Sequence, residues 1–70
     1  MRDYHINIFW SKDDECWIAD IPDLKYCSAH GDTPAEALRE ALVAKKAWLS
    51  SRKKHGDAIP KPRYRPVIYA

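Results

Sequence analysis

The side chains in this chain that could do chemistry are carboxylates, three histidines and two cysteines, and their spacing decides against catalysis. Asp13-Asp14-Glu15 form a run of acids, with Asp20 and Asp23 shortly after. A two-metal nuclease needs several carboxylates converging from strand centres and a helix. Here the run falls in a polar stretch between two apolar ones, and the centre of the preceding strand offers His5 and Asn7 instead. Cys27 and His30 have the spacing of half a metal site, but no second pair completes it, and packed thiols are the competing reading. His5, His30 and His55 are scattered, and each reads as a surface or edge residue rather than a general base. The glycines, Gly31 and Gly56, form no phosphate-cradling loop, and no Ser-x-Gly nucleophile turn is present. The expectation is a protein that is not an enzyme, with no metal and no cofactor.

Charge is the stronger signal. Residues 1–33 hold seven acids and three bases, a net of −4, whereas residues 34–70 hold three acids and nine bases, a net of +6. These are either solvated faces or an acidic half that docks on a basic partner, since complementary fields steer association. The basic half has its own alternative. Arg52, Lys53, Lys54, Lys61, Arg63 and Arg65, interleaved with Tyr64 and Tyr69, could touch nucleic acid. Against that stands the plainer reading of a charged helix end and a polar tail.

The elements that must position these residues are readable from period and punctuation. Residues 4–10 (YHINIFW) alternate with period two, so Tyr4, Ile6, Ile8 and Trp10 share one side and His5, Asn7 and Phe9 the other. Residues 11–15 are a hairpin loop, and residues 16–21 a second, antiparallel strand ended by Pro22-Asp23. Residues 25–30 read as a third strand. Thr33 followed by Glu36 is a capping box, in which the Thr hydroxyl accepts from the Glu36 amide and the carboxylate reaches back. Pro34 suits the first helical position. The helix then runs over about 34–55, with Leu38, Ala41, Leu42, Lys45, Trp48 and Leu49 on one apolar stripe and Gly56 as its stop. Residues 58–66 hold three prolines and read as an extended connector, and residues 67–70 (VIYA) as a short fourth strand. One helix covers one face of the sheet, with Tyr4, Ile6, Ile8, Trp10, Trp17, Ala19 and Ile21 beneath it. The opposite face then carries Phe9 and Ile18 beside Asn7, Cys16 and Asp20, and exposed apolar area of that kind marks a protein interface.

A 70-residue chain buries only about 60% of its unfolded surface, which favours an oligomer or a partner. No apolar run is long enough to span a membrane and no signal-peptide pattern opens the chain, so a cytoplasmic protein with reduced cysteines is expected.

The segment Ala19 to Leu38 (ADIPDLKYCSAHGDTPAEAL), with the YHINIFW strand before it and AWL and AIPKP after it, resembles the HicB-type antitoxins of prokaryotic toxin–antitoxin pairs. The resemblance covers nearly the whole chain as one domain, residues 1–70. Lys25-Tyr26 stand where the family often has Pro-Gly, and the separate DNA-binding segment of many members is not expected in this chain. The resemblance implies an α+β, partial RNase H-like fold of order β-β-β-α-β, with the last strand beside and parallel to the first. It further implies dimers or higher oligomers, and a type II antitoxin that binds and neutralises a small, basic, mRNA-cleaving HicA-type toxin. On that reading Asp13, Asp14, Glu15, Asp20 and Asp23 supply electrostatic contact and Phe9 and Ile18 apolar anchors. The alternative is a nucleic-acid-binding regulator or orphan oligomeric module acting through Arg52, Lys53, Lys54, Arg63 and Arg65.

Overall fold

The computed structural model describes residues 3–65; the expected strand over 67–70 lies outside the described residues. Within them the order is β1 (Asn7–Ser11), β2 (Cys16–Asp20), β3 (Ser28–Gly31) and α1 (Pro34–Lys54). The strands form one antiparallel sheet in the order β1-β2-β3 with α1 against one face, an α+β arrangement.

The β1–β2 hairpin closes at the Ser11–Cys16 pair. The Ser11 hydroxyl accepts from the Asp14 amide at 3.3 Å and donates to the Asp14 carboxylate at 2.9 Å, and Glu15 completes the turn at φ 52°. β1 is shorter at its start than the alternation predicts. Its ladder ends at the Asn7–Asp20 pair, because the chain opposite continues into Ile21-Pro22 and proline has no N–H to donate. Tyr4 and Ile6 leave the ladder but still pack on the core.

β3 also starts later, at Ser28 rather than Lys25. Two successive turns intervene: the Leu24 amide donates to Ile21 O and the Cys27 amide to Leu24 O, each at 3.0 Å. Tyr26 sits third in the second turn at φ 63°, where a type II turn calls for glycine. That is the Gly position of the Pro-Gly of the HicB-type pattern. The turns bury Ile21, Leu24 and Cys27 in one cluster with Trp48 and Leu49.

The helix ends behave as read. Thr33 caps the N-terminus, its hydroxyl accepting from the Glu36 amide at 3.1 Å. Only this half of the capping box forms among the described residues. Beyond His55, Gly56 at φ 73° donates to Lys53 O and Asp57 to Arg52 O, the paired bonds of a Schellman stop.

The stripe on α1 is shifted from the expected one. Ala37 and Ala41 are fully buried against Ala19, whereas Leu42 is 43% exposed. Small residues win because β3 lies too close to the helix for large ones. A Cβ on Gly31 would come within 2.6 Å of the Ala37 nitrogen. Close approach on that side tips α1 over β2 and β3, so Ile8 and Trp10 lie on the helix side of β1 without being covered (38% and 51% exposed). Lys45 runs along the stripe and ends in an ion pair with Asp3 at 3.0 Å. That bond holds the Asp3 carboxyl below its ordinary range.

Both cysteines are thiols on opposite sides of the sheet. Cys27 is in the core and Cys16 is half-buried on the open face. Burial pushes the Cys27 thiol up, with the charge of Asp20 adding to it. Since only the thiolate attacks, iodoacetamide at pH 8 is expected to alkylate Cys16 in the folded protein and Cys27 only after unfolding, by mass spectrometry. Equal labelling would show the Ile21–Leu24–Cys27 cluster to be loose.

Candidate protein interface on the open sheet face

Residues opposite one another in an antiparallel ladder share a face, so the register assigns the side away from α1. Phe9, Ile18 and His30 form one row across it, and Asn7, Asp20 and Ser28 the next. Ser11 and Cys16 close it at the hairpin. Phe9, 47% exposed, sits directly opposite Ile18, giving an apolar centre. Asp14 and Asp20 lie towards its two ends. A shallow depression of about 350 Å³ between Asp14, Cys16, Ile18 and His30 adjoins that centre. An apolar middle with a charged rim is the anatomy of a protein–protein patch.

Of the expected contact residues, Phe9, Ile18 and Asp20 come together on this face, and Asp14 leans on its edge. Asp13 and Glu15 stand exposed on the hairpin tip. Asp23 is apart from them and has a different task. Its carboxylate accepts from the backbone amides of Arg63 and Tyr64 at 3.1 Å, holding the C-terminal connector. The Tyr4 hydroxyl donates to Pro60 O on the same connector. Tyr64 then packs on the His5 ring, centroids 4.9 Å apart, and His5 bonds the Asn7 side chain at 2.7 Å. The connector therefore frames one end of the open face. Sequence reasoning missed this frame, because contacts 40 residues apart leave no local signal, and it read His30 as a surface or edge residue without placing it in the Phe9–Ile18 row.

The basic candidates are less concentrated. The Arg52 guanidinium lies over the Trp48 ring, 4.6 Å from its centroid, and the Trp48 indole donates to Lys25 O at 3.0 Å. Arg52 thus has a packing role, while Lys53 and Lys54 project from the helix end, and Lys61, Arg63 and Arg65 are exposed on the connector. The Cys27 and His30 pair, whose spacing is that of half a metal site, is pulled apart: Cys27 points into the core and His30 onto the open face. Among the described residues no cluster of three or more His, Cys, Asp or Glu converges, and no helix is long and apolar enough to cross a membrane.

Fold and site together describe a small α+β domain with one sheet face uncovered among the described residues. Among known proteins, the chain is similar to UPF0150 protein ssl0259 of Synechocystis sp., 36% identical over 44 residues. The match takes in 63% of this chain and 60% of that protein, so the chain spans less than two thirds of the length of the curated relative it matches. No protein-family model matches the chain, and no solved structure matches it significantly.

Proposed function

We propose that this protein is a HicB-type antitoxin with a partial RNase H-like fold, which binds a small basic HicA-type ribonuclease and blocks its action on mRNA. The observation that carries the reading is the open face, whose Phe9–Ile18 centre and acidic rim fit a basic protein surface. The resemblance of the Ala19–Leu38 segment to HicB-type antitoxins supports it, as does similarity to a UPF0150 protein, a family that is HicB-like. The partner's RNA-binding surface must be basic, so the face that covers it must supply carboxylates and an apolar anchor. The Trp48–Arg52 packing weighs against the rival nucleic-acid reading, since it takes one cation of the basic set.

The test is RNA cleavage by the small basic protein encoded beside this one. Adding this chain in stoichiometric amount should suppress cleavage; persistent cleavage in the presence of excess chain would refute the proposal. Replacing Asp13, Asp14 and Glu15 by lysine should slow association about tenfold at low salt and flatten its salt dependence, because exposed charges act mainly on the encounter. An unchanged association rate by stopped-flow fluorescence would remove the hairpin from the interface.

A further inference from the structure

The outer edge of β3 is unpaired among the described residues, and its geometry is specific enough to say what fits there. The Ile21 amide donates to Cys27 O at 3.0 Å, marking that pair as a hydrogen-bonded one. Bonded pairs alternate along an antiparallel ladder, so Ala19–Ala29 and Trp17–Gly31 are the next bonded pairs. Ser28 and His30 therefore turn their backbone N–H and C=O groups outward. They open onto a groove of about 590 Å³ between this edge and the flank of α1, whose apolar lining is Ala29, Val43 and Ala44.

The charge of the groove has one sign. Asp32, Glu36 and Glu40 line it, and among the described residues no lysine or arginine does. Glu36, whose carboxylate does not close the capping box among the described residues, is one of these lining residues. The helix dipole offsets negative charge within the first turn only, so Glu40 keeps its full field. Glu36 and Glu40 are one turn apart, about 6 Å along the axis. Alternate side chains of an extended strand are about 6.8 Å apart. A strand laid on this edge can thus present successive same-face cations to the two carboxylates.

We propose that the β3 edge and the adjoining flank of α1 form a docking groove for an extended, lysine- and arginine-bearing segment of a partner protein, which joins the sheet as an added strand. Backbone pairing supplies the affinity and the carboxylates the selectivity. A second copy of this chain fits less well, because symmetric pairing of two β3 edges brings two sets of carboxylates together. The same charges repel nucleic acid. The inference stands apart from the antitoxin reading, since it uses the backbone edge of β3 and the flank of α1 rather than the Phe9–Ile18 centre of the open face, and is tested with a peptide alone.

The probe is acetyl-Thr-Lys-Val-Arg-Val-Lys-Thr-amide, titrated into the full chain and followed by amide NMR. The Ser28 and His30 amides should shift and gain protection from exchange. A peptide N-methylated on the backbone amides that face β3 should not bind, nor should a version with glutamates replacing its cations. The E36Q/E40Q double variant should bind about fivefold more weakly, with only a small fall in thermal midpoint from the lost interaction of Glu36 with the helix dipole. No binding, equal binding of the N-methylated peptide, or shifts centred on Phe9 and Ile18 would overturn the proposal. So would a homodimer by light scattering in which the Ser28 and His30 amides are already protected from exchange without peptide.

Discussion

Replacing Gly31 by alanine is expected to destabilise the domain by about 3 kcal/mol, towards the upper end of what overpacking costs. The added Cβ would lie 2.6 Å from the Ala37 nitrogen and 2.9 Å from the Glu36 carbonyl carbon. Both are backbone atoms of the first helical turn, so no side chain can swing aside to make room. Either β3 must leave the helix or the capped turn at Thr33 must open. A domain this small has only a few kcal/mol of net stability, so the urea midpoint should fall by half or more. Gly56 is the internal control. It sits at φ 73° with nothing within 4 Å of its would-be Cβ, so alanine there costs only the left-handed backbone penalty, about 1 kcal/mol. If the Gly31 variant lost no more stability than the Gly56 variant, the close approach of β3 to α1 would be wrong, and with it the placement of the helix.

The second large effect is on binding. Phe9→Asp and Ile18→Asp should each weaken the complex with the basic partner about 100-fold, a loss of the size that central apolar anchors show. The two side chains face each other across β1 and β2 at the middle of the open face, and neither belongs to the core clusters around Ala19 and Ile21. Stability should therefore change little. An aspartate at either position leaves an unpaired charge in the centre of the contact, which costs far more than the lost apolar area. Trp10→Asp separates this surface from its neighbour. Trp10 is just as exposed but lies on the helix side, packed edge-on against Trp17 at 5.8 Å, and its loss should leave the affinity within about threefold. Calorimetric titration of the three variants measures these differences. Equal losses at Trp10 and Phe9 would place the partner around the β1 edge rather than on the open face.

The parts of this fold legible in the sequence were those written locally. Thr33-Pro34 and Gly56 bound the helix at Pro34–Lys54, against an expected end at about residue 55. The acidic stretch from Lys12 to Glu15 is the hairpin turn, and the period of two assigns Phe9 and Ile18 to the face away from α1. What could not be read depends on distance in the chain. The helix sits on alanines because Gly31 lets β3 approach, and a pattern of large apolar residues favours Leu38 and Leu42 instead. Asp23 reads as one more surface acid until residues 63 and 64 return to its carboxylate. Tyr4 reads as a strand residue because its alternation continues that of β1, yet its hydroxyl is bound to Pro60. The open edge of β3 was likewise hidden, since pairing order is a property of the sheet and not of any segment.

The most direct measurement is light scattering coupled to size-exclusion chromatography, on this chain alone and mixed with the small basic protein encoded beside it. A single stoichiometric complex that forms with the native chain, and is lost with the Phe9→Asp and Ile18→Asp variants, is the predicted result. Separate elution of the two native proteins at micromolar concentration would contradict the account.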